Sequence, residues 1–241
     1  MTTLLGPFLL DVTLASDRIR LWLGVSPQST AIIRSVIKMI HNSSLMLDGL
    51  QDGSQLRRGN PSTRVIFGEA QTINSAVFRY VQATAELRKL KNPLCLDIFI
   101  DEIRSLFVGQ GFDLHWTNRV ECPSVMEYLQ MVDGKTGALF RLLTRLMAAE
   151  SPHSGLADLD RLCRLLGRYY QIRDDYQNLV SEEVVTFPEE TNVPDNKQYT
   201  AQKGFCEDLD EGKFSLPLIH ALAHTDKGLQ LRGLLHERRR R

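Results

Sequence analysis

The sequence predicts an all-α protein, a bundle of many helices around one core, from three observations. Apolar residues recur at three- and four-residue steps along most of the chain, the spacing of helices with one buried face. No alternating stretch is bounded by turn residues on both sides, so strand signals are nearly absent. The chain has 241 residues and is 43% hydrophobic, enough for one large core, and no shift of composition divides it; residues 1–241 read as one domain.

Taken in order, "TAIIRSVIKMIHNSSLML" (30–47) places Ile33, Val36, Ile37, Ile40, Ser44 and Leu47 on one face, with Asp48 at the helix end. "EAQTINSAVFRYVQATAELRKL" repeats the spacing through Ile73, Val77, Tyr80, Val81 and Ala85 until "KNP" breaks it. "LCLDIFIDEIRSLFVGQGFDLHW" is expected to run helically to an interruption at Gly109 to Gly111. "PSVMEYLQMVDGKTGALFRLLTRLMAA" reads as one long helix opened by Pro123 and Ser124, weakened locally by Asp133, Gly134 and Gly137. "SGLADLDRLCRLLGRYYQIRDDYQNLV" sets Leu156, Leu159, Leu162, Leu166, Tyr169 and Ile172 on a stripe. Residues 182–203, polar with two prolines, read as an exposed loop, and "GFCEDLDEGKFSLPLIHALAH" returns to helix with Pro217 bending or restarting it.

Lysine plus arginine and aspartate plus glutamate are equal at 29 each, so no global field recruits nucleic acid and charge-based binding must be local. Cys95, Cys122, Cys163 and Cys206 are widely spaced, with no CxxC pair, which disfavours a disulfide framework or structural zinc. The start has no basic n-region, and no run of 18 apolar residues offers a transmembrane segment. These features predict a cytoplasmic or other reduced intracellular setting. The tail "HERRRR" reads as a solvated helix end or a basic contact patch.

Polar clusters interrupting apolar helices are costly unless they face water or a ligand. In "LMLDGLQDGSQLRRGNP", Asp48 and Asp52 are four apart, so on a helix both carboxylates reach one hard cation while position 49 points about 100° away. Oxygen ligands of this kind suit magnesium, which retains waters and bridges to substrate phosphates; two Asp-Gly turns are the plain alternative. In "YYQIRDDYQN", Asp174 and Asp175 repel each other unless a cation lies beside them, or else sit on an exposed face screened by Arg173. Lys135, Lys203 and Lys213 each stand directly beside a glycine, without Walker A spacing; each is a surface residue or a phosphate contact.

"HNSSLMLDGLQDGSQLRRGNP", "INSA", "GQGFDLHW", "KTGALFRL", "YYQIRDDYQNL" and "KGFCEDLDEGKFSLPLIHAL" together resemble the conserved blocks of trans-isoprenyl diphosphate synthases, most closely the fungal geranylgeranyl diphosphate synthases, over about residues 20 to 235. The resemblance implies the all-α isoprenoid synthase fold, with two aspartate-rich motifs facing each other across a central active-site cavity. It implies condensation of isopentenyl diphosphate with an allylic diphosphate (dimethylallyl, geranyl or farnesyl) after ionisation assisted by two or three magnesium ions. Carried over by position, Asp48, Asp52, Asp174 and Asp175 correspond to the metal motifs, and Arg57, Lys135 and Lys203 to groups that grip the allylic diphosphate. Thr136, Gln171 and Lys213 are weaker candidates for that role, with Lys135, Lys203 and Gln171 as the catalytic set. His41 and Arg58 match positions that bind isopentenyl diphosphate. Small Ser43 and Ser44, with Tyr80, Val81 and Phe107 as a floor, imply a long product, geranylgeranyl diphosphate. The resemblance also implies a homodimer or a heterodimer with a related synthase.

The departures are specific. The family's DDxxD is here Asp-Gly-x-x-Asp: Gly49 replaces the middle carboxylate and loosens the helix by about 1 kcal/mol relative to alanine, so weakened metal binding is expected. The upstream Gly-Lys-x-x-Arg element is replaced by "GPFLLDVTL", with Leu9 and Val12; a charge-assisted hydrogen bond from either cation would be worth about 1.5 to 3 kcal/mol. The family's "HRGQG" appears as Phe107-Val108-Gly-Gln-Gly, and the fold is expected to be shortened at both ends. Three alternatives follow: a catalytically impaired subunit that pairs with an active synthase, a shorter-chain geranyl or farnesyl synthase, and a class I terpene cyclase, the last disfavoured by the Arg57-Arg58 pair.

Overall fold

A computed structural model describes residues 16–57, 60–153, 159–180 and 206–238. After a helical stretch at 16–23 come α1 (Pro27–Gln51), the short α2 (Thr63–Phe67), α3 (Glu69–Leu87) and α4 (Leu94–Arg119). They are followed by α5 (Val125–Lys135), α6 (Gly137–Ala149), α7 (Asp160–Val180), α8 (Glu207–Glu211), α9 (Leu216–His224) and α10 (Gly228–Arg238). Between α1 and α2 a two-residue antiparallel pairing joins Leu56 to Pro61 and Arg57 to Asn60. The predicted all-α architecture is the one observed, and no described helix is long and apolar enough to cross a membrane.

Local sequence sets the helix ends. Ser26 caps α1, its hydroxyl accepting from the Ser29 amide, with Pro27 in the first turn. Ser124 and Glu127 form a reciprocal capping box at the start of α5. Pro217, in the first turn of α9, restarts the helix after Ser215 rather than bending one. At the end of α1 the Ser54 amide donates to Gly49 O and the Gly53 amide to Leu50 O, with Gly53 at φ 72°. That is a Schellman ending, in which Gly53 supplies the left-handed turn. Of the two Asp-Gly pairs, Asp48-Gly49 is therefore helical and Asp52-Gly53 is the stop.

One core cluster joins Ile33, Val36, Ile37 and Ile40 of α1 with Leu106 of α4 and Leu142, Leu143, Leu146 and Met147 of α6. A second gathers Trp116, Tyr128, Met131 and Val132 with Phe214, Leu218, Ile219 and Leu222. The predicted interruption at Gly109 is absent. α4 runs straight through it, and Gly109 serves instead as a crossing point: a Cβ there would lie 2.3 Å from the Lys135 amide nitrogen, and one on Gly134 2.9 Å from Ser105 O. Two glycines thus let α4 and α5 touch backbone to backbone.

The predicted long helix over 124–149 is divided at Thr136. Arg141 Nη1 donates to Asp133 O at 2.7 Å, taking a carbonyl that an unbroken helix would give to the Gly137 amide. Gly137 meets Gly167 of α7, whose Cβ would come within 2.7 Å of Gly137 Cα.

Two predicted faces are corrected. Along α3 the covered residues are Thr72, Ala76, Ala83 and Leu87, whereas Ile73, Val77 and Val81 are 46%, 53% and 61% exposed. Along α7 the covered positions are Cys163, Gly167, Asp175 and Asn178; Leu162, Leu166 and Tyr169 are exposed, Leu159 and Ile172 are half-buried, and Leu156 lies outside the described residues. On α7 the reason is visible at Gly167, where a Cβ would come within 2.7 Å of Gly137 Cα and no large side chain fits; on α3 the small Thr72, Ala76 and Ala83 face inward with Leu87. On α1, Ser44 and Leu47 are only half-buried, and Ser43 is the serine that faces inward.

Candidate active site

Asp48 in the last turn of α1 and Asp52 at its C-cap stand on one side, while Gly49 between them is buried. A helix C-terminus is the negative end of its dipole, so two carboxylates there require nearby cations. Lys135, the last residue of α5, supplies one: Nζ donates to Asp113 Oδ2 at 2.6 Å and to Asp48 Oδ1 at 3.3 Å. Lys213 supplies the other, bonding Asp52 and standing 2.8 Å from Glu211 Oε2. Gly212, at φ 78°, turns the chain after α8 so that Lys213 returns toward α1, and Ser54 Oγ ties the same turn down by donating to Glu211 Oε1 at 2.6 Å.

Electrostatics bind the cluster together. Burial, with the charge of Asp48 next, pushes the Asp52 carboxyl up to about 7, while Lys213 opposes. Burial works to lower the Lys135 ammonium, but Asp113 and then Asp48 carry it above its ordinary value. Gln110 Nε2 also reaches Asp48 Oδ1, at 3.4 Å, and Gln51 at 2.9 Å.

Beyond the break at Thr136 runs a second network. Thr136 Oγ1 donates to Gln171 Oε1 at 2.8 Å, and Gln171 Nε2 donates to Asp175 Oδ1 at 2.9 Å. Asp175 Oδ2 accepts from Tyr128 Oη and from the Leu216 amide, both at 2.7 Å. Asp175 therefore faces protein, 3% exposed with both oxygens engaged, where the motif alone places it beside a metal. Its neighbour Asp174 is half-buried, about 100° around α7.

Burial pushes the Asp175 carboxyl up to about 6, with its three hydrogen bonds opposing. Since that value is raised above the unfolded one, ionisation of Asp175 costs the fold stability as pH rises through about 6. The Tyr128 hydroxyl offsets this by holding the charged form. Tyr128→Phe is expected to destabilise by about 1 to 3 kcal/mol at pH 8 and by less at pH 4.5, read as the gap in Tm to the unsubstituted protein. An equal gap at both values would refute the assignment.

Of the other predicted site residues, His41 is buried on α1 two turns before Asp48, and buried Ser43 donates to Ala76 O at 3.2 Å. Tyr80 meets Phe107 with ring centroids 5.4 Å apart, and its buried hydroxyl has no hydrogen-bond partner among the described residues. Val81 points outward, 61% exposed, and does not join them. The Arg57 side chain, Arg58 and Lys203 lie outside the described residues. Asp113, Gln110, Glu211 and Tyr128 were not anticipated as site residues. Gln110 and Asp113 are three apart within "GQGFDLHW", and that polar spacing inside an apolar helix was the available signal.

Among the described residues no three histidine, cysteine or acidic side chains converge as a ready metal cage. The donor set nonetheless fits magnesium, which is held by one or two carboxylates, with waters and substrate phosphates completing its shell. Two ammonium groups already sit at Asp48 and Asp52, marking where positive charge belongs. The four cysteines are free thiols.

The all-α bundle is the fold that the resemblance to isoprenyl diphosphate synthases implies. The family described as Polyprenyl synthetase matches residues 13–189, and the chain belongs to that family. Preasperterpenoid A synthase PvPS of Talaromyces verruculosus is 51% identical over 225 residues, 93% of this chain and 27% of that protein. The bifunctional sesterterpene synthase astC of Talaromyces wortmannii is 49% identical over 227 residues, 93% of this chain and 28% of that protein. Ophiobolin F synthase oblA of Emericella variicolor is 50% identical over 237 residues, 94% of this chain and 30% of that protein. The chain thus spans less than a third of the length of these relatives.

Proposed function

We propose that this chain is a prenyltransferase that condenses isopentenyl diphosphate with allylic diphosphates (dimethylallyl, geranyl and farnesyl) to give geranylgeranyl diphosphate. The observation that carries this reading is the convergence of Asp48 and Asp52 with Lys135 and Lys213. A departing diphosphate gathers negative charge as the allylic C–O bond breaks, and fixed positive charge stabilises that transition state more than the bound substrate. Magnesium, held by Asp48 and Asp52 with Asp174 as a further candidate, would supply Lewis-acid stabilisation of the same oxygens. Lys135 and Lys213 would grip the diphosphate, with Arg57 and Lys203 as further cations. The isopentenyl double bond then attacks the allylic carbon, and loss of a proton completes a product five carbons longer.

The small side chains of Ser43 and Ser44 support a long product by the resemblance, and Tyr80 with Phe107, ring centroids 5.4 Å apart, would form the floor of its chain. The name of one relative, a bifunctional sesterterpene synthase, makes a twenty-five-carbon product the specific second reading. The exposed stripe of Ile73, Val77 and Val81 suits a second copy or a related synthase, the partner we expect.

Incubating the purified protein with farnesyl and isopentenyl diphosphates and magnesium, then measuring chain length, tests all of this. A twenty-carbon diphosphate supports the reading, and a twenty-five-carbon one moves it to the second. No elongated product from folded protein would overturn both and leave a noncatalytic subunit. Light scattering on the same sample reads the oligomer, and a monomer at assay concentration would remove the partner.

A further inference from the structure

We infer that Asp113 is a positioning residue that draws the Lys135 ammonium toward itself and so lessens its competition with a divalent cation for Asp48. The inference rests on the reading of Asp48 and Asp52 as cation ligands. Its starting point is an inequality: Lys135 Nζ is 2.6 Å from Asp113 Oδ2 but 3.3 Å from Asp48 Oδ1, so the ammonium belongs mainly to Asp113. Lys135 and a divalent cation seek the same carboxylate, and without a stronger attachment elsewhere the lysine would neutralise Asp48 itself.

Asp113 is well placed to prevent this. It is buried on α4, one turn beyond Gly109, at the crossing where Gly109 packs against Lys135 and Gly134. One turn further on, Trp116 is fixed in the second core cluster. The carboxylate therefore sits on a rigid segment within reach of Lys135, with little freedom to follow the ammonium toward Asp48. When a cation takes Asp48, Lys135 keeps one counter-ion and stays charged beside the site, ready for the diphosphate. Gln110, on the same face of α4, reaches Asp48 Oδ1 as a neutral donor and so leaves the carboxylate its charge.

The test is Mn2+ binding to the full chain without substrate, followed by electron paramagnetic resonance. In Asp113→Asn the ammonium should collapse onto Asp48 and weaken Mn2+ binding by about tenfold. Adding Lys135→Met to that variant should restore binding to the original level or better, because the competitor is gone. A residue with a merely structural role would give a further loss in the double variant. Asp113→Glu, which keeps the charge, should bind within about threefold of the unsubstituted protein. Should Asp113→Asn fail to fold, Lys135→Met alone reads the same competition and is expected to tighten binding. Unchanged binding in Asp113→Asn, or a loss that Lys135→Met does not reverse, overturns the inference. Absence of Mn2+ binding in the unsubstituted protein would overturn the cation-ligand reading beneath it, which separates the two failures.

Discussion

Asp48→Ala and Asp52→Ala are each expected to lower condensation turnover by about 10³-fold, measured as isopentenyl diphosphate incorporation at saturating farnesyl diphosphate. The size follows from what each carboxylate does at once. Each is a cation ligand by the proposed function, and each also carries a lysine beside the site, Asp52 bonding Lys213 directly and Asp48 standing 3.3 Å from the Lys135 ammonium that Asp113 holds. The fold should survive either change, because Lys135 retains Asp113 and Lys213 retains Glu211, so neither ammonium is left buried alone. Tm should therefore fall by only a few degrees, while the magnesium concentration for half-maximal rate rises. The two substitutions should also fail to add, since both act on one charge cluster. Full turnover in either variant would remove the first motif from the chemistry.

How much of this is legible in the sequence depends on which force dictates each feature. Helix existence and most helix starts are readable, because caps such as Ser124 with Glu127 and breakers such as Pro217 act locally. The division at Thr136 is not, since it comes from Arg141 reaching back to Asp133 O, and no local pattern announces such an intrusion. The covered faces of α3 and α7 escape for a related reason. Apolar periodicity identifies an apolar face but not the neighbour that covers it, and here the covered positions are the small Ala76 and Ala83 of α3 and Gly167 of α7, the last in close contact with Gly137. Within the site, Asp48, Asp52 and Lys213 are identifiable by spacing and resemblance, and the structure adds which lysine attends which aspartate. Asp113 and Glu211 lie inside blocks that carry the resemblance, but neither block by itself shows which of its carboxylates meets a lysine. Asp175 reads as a ligand because adjacent aspartates look alike in sequence, and only the packing of Tyr128 and the α9 amide shows one of them turned inward.

The glycine crossing gives the largest expected effect on stability. Gly109→Ala places a Cβ where the Lys135 amide nitrogen would be 2.3 Å away, with Gly134 C and Met131 O each at 2.9 Å. All three are backbone atoms, so no side-chain rotation relieves the overlap, and α4 must separate from α5. Overpacking of this kind costs about 3 kcal/mol, against about 1 kcal/mol gained from the better helix propensity of alanine. At about 2 to 4 °C of Tm per kcal/mol for a chain of this size, the net loss is about 4 to 8 °C. Gly111→Ala, two residues further along α4, meets nothing within 4 Å and should raise Tm slightly instead. Opposite signs from identical substitutions would isolate the crossing as the cause. The crossing also fixes Lys135, whose amide is the atom struck, so Gly109→Ala should lose turnover at temperatures where it is still fully folded, and Gly111→Ala should not. Equal turnover in the two folded variants would mean that Lys135 keeps its place without the close approach of α4, and that the crossing serves packing alone.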